Sequence, residues 1–177
     1  MRFPFDMIVM DLETSGTLEN RVVEIGAIRL TPDLDMADRF TCLVDGRPVT
    51  EEVIKIHHIT NEMLVGQPRF AEAHGRFEEF CGKSERYLLS AFGAYFDMPV
   101  LRAEYSRLGM KFPHRGEAID IKAIAWWELC KRGMPCQGLK LDRALELFGL
   151  EFEGIRHRAL PDAWNESRLL RKIAGRI

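Results

Sequence analysis

Four consecutive apolar residues, Met7, Ile8, Val9 and Met10, run straight into Asp11, and Glu13 follows two places later. A short apolar run ending in polar residues reads as a strand buried on both faces, which commits the chain to a sheet covered by other elements. Residues i and i+2 of a strand share a face. Asp11 and Glu13 therefore project together, and Leu12 points away. Two ionised carboxylates side by side repel, and in a low-dielectric surround each raises the other's pKa. A hard divalent cation offsets that repulsion, because Mg²⁺ and Mn²⁺ favour oxygen ligands. The plain alternative is a strand that ends with both acids in water. D-x-E by itself is a short pattern that chance supplies often.

The elements that follow fit a covered sheet. Residues 21–30 are rich in β-branched side chains and read as a second strand, 31–38 as a turn, and 39–45 as a third strand. Short connections make these three an antiparallel meander. Residues 49–58 and 60–66 read as short helical pieces, each with a threonine cap, Thr50 and Thr60. Phe70, Ala73, Phe77 and Phe80/Cys81 recur at helical spacing, and residues 86–92 form a further strand. Residues 96–109 read as a helix with Pro99 early, and 119–130 as another. Leu141, Ala144, Leu145 and Phe148 mark a helix that stops at Gly149. A last helix over 159–175 buries Leu160, Ala163, Trp164, Leu170 and Ile173. Strands first, then alternating helix and strand, make a mixed α/β sheet with helices on its faces. With no repeat or linker, the 177 residues are expected to form one domain.

Composition excludes several classes. No apolar stretch approaches the ~18–20 residues that span a bilayer, so no membrane partner is expected. Residues 1–6 lack a signal peptide's apolar core, so a cytoplasmic protein is expected. Cys42, Cys81, Cys130 and Cys136 have no C-x-x-C spacing, which argues for reduced thiols over a zinc knuckle or redox pair. The net charge of −2 announces no nucleic-acid partner. Something local would have to attract phosphate.

Two later segments bear on the carboxylates. In "SAFGAYFDMPVL", Asp97 stands where an apolar run meets a helix start, a place where an acid also suits the helix dipole. In "GIRHRALPDAWNESRLL", His157 precedes Asp162 by five positions as the last helix begins. Singly, these could be a first-turn acid and a loop histidine. Together the segments strongly resemble the DnaQ-like (DEDDh) 3′→5′ exonuclease family. "DLETSG" matches its first motif throughout, and "HRALPDA" matches its third. The middle motif usually reads H-N-A-x-F-D. Here "FGAYFD" keeps Asp97 but has Phe92 and Gly93 in place of His and Asn, which looks nearer the KapD and ERI-type branch. "IHHITNEML" is similar to the family's I-H-x-I-T stretch beside the terminal nucleotide. The resemblance runs from about residue 7 to 173.

That resemblance implies an RNase H-like mixed five-stranded sheet, its first three strands antiparallel. It implies hydrolysis of single-stranded DNA or RNA from the 3′ end to nucleoside 5′-monophosphates. Two Mg²⁺ or Mn²⁺ ions about 3.5–4 Å apart would clamp the attacking and leaving oxygens. Asp11 would bridge both ions, Glu13 and Asp162 would hold the one beside the attacking water, and Asp97 would support the other. His157 would be the general base, since an imidazole normally titrates close to working pH; its glycine-containing loop, 150–158, fits a base that swings in with substrate. Leu12, Thr14, His58, Ile59, Phe92 and Arg156 would contact substrate, Ile59 against a base and Arg156 with Arg158 against phosphate. Tyr95, Trp126 and Trp127 are further stacking candidates, with at least one tryptophan expected in the core. Arg168, Arg171 and Lys172 read as a solvated basic face. His74 and His114 have no motif context and read as surface residues. Family members are often homodimers, and some serve a polymerase. Two rivals remain: a catalytically weak module of the same fold that binds nucleic acid or a polymerase, and a phosphodiesterase for small substrates. A silent module would usually have lost one of Asp11, Glu13, Asp97, His157 and Asp162.

Overall fold

The structure, a computed structural model, describes residues 2–177. β1 (Asp6–Thr14), β2 (Val22–Leu30) and β3 (Met36–Leu43) are followed by helices α1 (Glu51–His57) and α2 (Phe70–Cys81). Then come β4 (Tyr87–Ala91), α3 (Ala94–Arg107), β5 (Ala118–Asp120), α4 (Ile121–Lys131), α5 (Leu141–Leu147) and α6 (Ala159–Ile173). The sheet order is β3-β2-β1-β4-β5. β1 pairs antiparallel with β2, and β2 with β3; β4 runs parallel to β1 and β5 to β4. The meander and the RNase H-like five-stranded sheet are both present.

β1 is central, which is why it is apolar throughout its first half. Its alternate residues feed two cores. Ile8, Met10 and Leu12 pack with Phe70, Phe77, Leu101 and Tyr105 from α2 and α3. Met7 and Val9 pack with Ile121, Ala144 and Leu169 from α4, α5 and α6. The period of two continues past the apolar run. Asp11 and Glu13 therefore succeed Met7 and Val9 on the face that α6 covers.

Several boundaries differ from the expected ones. β3 begins at Met36 rather than 39, because it is an edge strand whose first four residues are exposed and carry no apolar alternation. Residues 61–66 form turns, not a helix. There Asn61 spends its side chain on the Val49 backbone, accepting its N–H and donating to its carbonyl, a local competition that opposes helix. α3 starts two residues early behind Gly93 (φ 96°), so Pro99 is its sixth residue. The expected helix at 119–130 loses its start to β5, and Asp120 caps α4 by accepting the Lys122 and Ala123 N–H groups. α6 buries Asn165, Glu166, Ser167 and Leu169 with Ala163 and Leu170, while Leu160, Trp164 and Ile173 are half-buried. All four cysteines are free, and the Cys130 and Cys136 sulfurs lie 3.3 Å apart, a proximity no spacing motif announces. Among the described residues no helix is long and apolar enough to cross a membrane.

Candidate active site

The site forms where α6 lies on the sheet. Gly26 of β2 stands opposite Asp11 of β1. A Cβ on Gly26 would fall 2.1 Å from the Ala159 carbonyl carbon, so the first turn of α6 touches the sheet backbone directly. Only glycine permits that approach. Glu24, opposite Glu13, fixes the same turn. Its buried carboxylate takes two bonds from Arg158, at 2.6 and 2.9 Å, and one from the Ala159 N–H at 2.9 Å. Arg158, expected against phosphate, thus ties the start of α6 to Glu24 of β2. Neither Gly26 nor Glu24 carried a sequence signal beyond an ordinary strand pattern.

Seated this way, α6 delivers Asp162 to β1. Carboxylate oxygens of Asp11, Glu13 and Asp162 all lie within 4.8 Å of one another. Asp97 comes from the opposite side, on the first turn of α3. β4 pairs with β1 only as far as Val9, and beyond it Asp97 Oδ1 accepts the Leu12 N–H at 3.1 Å. A fifth acid, Glu166, lies one turn beyond Asp162, 3% exposed, with Oε2 accepting the Phe92 N–H at 3.0 Å. Sequence reasoning missed it, because a glutamate inside an amphipathic helix reads as solvated until the helix is seated.

These acids hold their protons tightly. Burial, then the charges of Asp97, Glu166, Glu13 and Asp162, push Asp11 well above the carboxylate range. Burial, with Asp162 and Glu24 behind it, raises Glu13 to about 8. Burial also raises Asp97 to about 7 against the Leu12 N–H that favours its charge. Asp162 likewise rises to about 7, held down in part by the His157 and Arg158 backbone N–H groups.

His157, exposed and with φ 58°, stands at the end of the loop before α6. It lines a cleft of about 280 Å³ together with Asp11, Asp162, Glu166, Phe92 and Arg156. Arg156 is exposed at the rim and pairs with Asp142 at 3.0 Å. Phe92 presents its ring to the cleft, and Lys122 Nζ stands 5.9 Å from that ring and 5.6 Å from Tyr95. His58 is exposed at the C-terminus of α1. Its neighbour His57 is buried, with Nδ1 accepting the Ile59 N–H and Nε2 donating to the Thr14 carbonyl, which pins α1 to the end of β1. Leu12 and Thr14 are almost fully buried.

Three expectations fail here. Ile59 has no exposed surface; it packs with Val23, Val49 and Leu64 and offers nothing to a base. Trp126 and Trp127 are both exposed, because Ile121, Ala125 and Leu129 already fill the core face of α4. His114 is buried among Tyr87, Tyr105 and Phe112 instead of on the surface. The basic face of α6 is also less free than it reads: Arg168 bonds the Glu151 carbonyl and Glu153.

An all-oxygen donor set, crowded with like charge in a buried cleft, fits a hard divalent cation. It also fixes a sign. Carboxyls with folded pKa values near 7 and 8, against ~4 unfolded, keep protons that the unfolded chain has already released. Ion-free protein therefore loses stability as pH rises from about 4 to 8. A cation that needs the ionised carboxylates stabilises most at the upper end of that window. At pH 8, Mg²⁺ or Mn²⁺ at 100 times its Kd is expected to add ~2.7 kcal/mol, roughly 5–10 °C in thermal midpoint. A midpoint that is flat from pH 5 to 8 and indifferent to both ions at pH 8 would rule this out.

Comparison with known proteins adds three findings. The family model described as "Exonuclease", of the RNase T type, matches residues 8–170. The chain is 34% identical over 155 residues to DNA polymerase III subunit epsilon of Treponema pallidum, which covers 86% of this chain and 69% of that protein. It is 30% identical over 169 residues to DNA polymerase III PolC-type of Halalkalibacterium halodurans, covering 93% of this chain but only 11% of that much longer protein. Among solved structures, the nuclease domain of 3′hExo, a DEDDh family member bound to rAMP, superposes with TM-score 0.81 over 96% of this chain and 92% of that one. At 18% identity, that likeness speaks for the fold.

Proposed function

The chain belongs to the exonuclease family of DnaQ-like, DEDDh type, and from that premise we propose that it shortens single-stranded DNA or RNA from the 3′ end, one nucleoside 5′-monophosphate at a time. The single observation that carries this is the meeting of Asp11, Glu13 and Asp162 within 4.8 Å beside a cleft that His157 lines. Asp97 joins them through β1. We read residues 1–177 as one exonuclease domain.

Asp11, Glu13, Asp97 and Asp162 would hold two divalent ions, Mg²⁺ or Mn²⁺. When bound, these ions polarise the scissile phosphodiester and make water a better nucleophile at neutral pH. His157 takes the proton of the attacking water. The backbone N–H groups of His157 and Arg158 favour the charged form of Asp162, so the base's own backbone faces this carboxylate. The end of β1 at Leu12 and Thr14, with His58, forms the wall against the terminal nucleotide. Phe92 stacks on a base, and Arg156 at the rim meets a phosphate on exchanging it for Asp142. The epsilon and PolC relatives support a partnership with a replicative polymerase. A catalytically weak binding module is the less favoured reading, because Asp11, Asp162 and His157 line one cleft, Glu13 lies within 4.8 Å of both acids, and Asp97 bonds the backbone between Asp11 and Glu13.

The test uses 5′-labelled single-stranded DNA and RNA with Mg²⁺, Mn²⁺ or EDTA. A ladder that shortens from the 3′ end and vanishes in EDTA is the expected result. No ladder on either polymer overturns the proposal. The ratio of the two rates decides between DNA and RNA, and cleavage of simple phosphodiesters with no polynucleotide dependence would move the substrate to small molecules.

A further inference from the structure

Glu166 is the buried acid that this mechanism does not use. It is costly where it is, adding negative charge beside Asp11, Asp97 and Asp162. A side chain this expensive calls for a compensating role. What it touches suggests one. Its Oε2 accepts the Phe92 N–H in the two-residue turn between β4 and α3. The next N–H, Gly93, goes to Asp120 Oδ1 at 3.1 Å, the same oxygen that caps α4. The turn that launches α3 is thus held by two acids from outside it. Four residues past Gly93, the fourth residue of α3 is Asp97, whose Oδ1 grips the Leu12 N–H between Asp11 and Glu13.

We propose that Glu166 is a positioning residue: it ties α6 to the β4–α3 turn and so sets Asp97 of α3 in register with Asp162 of α6. Both acids converge on β1 from different helices. Glu166 lies on the same face of α6 as Asp162, four residues on, and its bond partners a backbone N–H that would be costly to leave unsatisfied in this part-buried turn. The consequence for turnover rests on the exonuclease reading; the mechanical link does not.

Two variants separate bond from charge. Glu166→Gln keeps an oxygen that can accept the Phe92 N–H, and Glu166→Ala keeps neither bond nor charge. Amide hydrogen exchange of the ion-free protein reads the link directly. In Glu166→Ala, the Phe92 and Leu12 amides are expected to exchange about tenfold faster or more, while Met7–Met10 stay unchanged as a check on global stability. In Glu166→Gln both amides stay within about threefold of the parent. With nucleic acid, Glu166→Ala is expected to lose about tenfold or more in kcat at little-changed KM, as misplaced groups do, and Glu166→Gln to recover most of it. Mn²⁺ titration by calorimetry should give Glu166→Gln an affinity within about threefold of the parent.

Leu12 still protected in Glu166→Ala would overturn the proposal, because the link would then stop at the turn. Glu166→Gln falling as far as Glu166→Ala in kcat and Mn²⁺ affinity would overturn it too, in favour of a role for the charge itself. If the parent protein cuts no nucleic acid, the exonuclease reading fails while the exchange measurements still decide the positioning role.

Discussion

Asp11→Asn is expected to lower exonuclease turnover by about 10³-fold or more while the chain stays folded. Asp11 is the acid with the most carboxylates acting on it: Asp97, Glu166, Glu13 and Asp162 all press on its charge. It would be shared between the proposed cations, since it neighbours the acids of β1, α3 and α6. Asparagine has nearly the same volume and hydrogen-bonds similarly, so the core around β1 is undisturbed. What disappears is the anionic oxygen. The same change removes a buried charge from a repelling cluster, so in EDTA at pH 8 the thermal midpoint should hold or rise. Loss of turnover with a retained midpoint is therefore the signature. Turnover within about tenfold of the parent would mean that Asp11 is not the shared ligand.

Replacing His157 should cost about 10²–10⁴-fold in turnover, the usual worth of a general base. The choice of replacement matters, because His157 has φ 58°. Alanine there carries left-handed backbone strain of roughly 1 kcal/mol, and Asp162 leans on the backbone at this position. Asparagine tolerates the conformation better. His157→Asn thus tests the imidazole, and His157→Ala tests imidazole and backbone together. Both should keep the ion-dependent rise in thermal midpoint, since the carboxylates remain. Unchanged turnover in His157→Asn would remove this residue as the base.

The readable parts of this molecule are those whose pattern is local. The apolar run into Asp11 and Glu13, the phenylalanine spacing of α2, the meander and the order of the acids all lie within short stretches of chain. Other features depend on a neighbour brought in by the fold. β3 begins at exposed residues without apolar alternation because an edge strand has little to cover. Trp126 and Trp127 are outside because smaller residues on α4 already fill the core. Glu24, Arg158 and Glu166 are ordinary charges until α6 lies down on the sheet, where each gains a buried partner. Ile59 matched a motif, yet packing with Val23 and Leu64 took its surface. Motifs thus located the acids but not the groups that hold them in place.

The bare backbone at Gly26 also decides where Asp162 can stand. Since α6 meets β2 with no side chain between them there, any side chain added at position 26 would lift the first turn of α6, and Asp162 with it, off the sheet. α3 is seated by more varied contacts: Leu101 and Tyr105 pack in the core, Glu104 accepts from Arg21 and the Val22 N–H, and Asp97, Glu166 and Asp120 hold its leading turn.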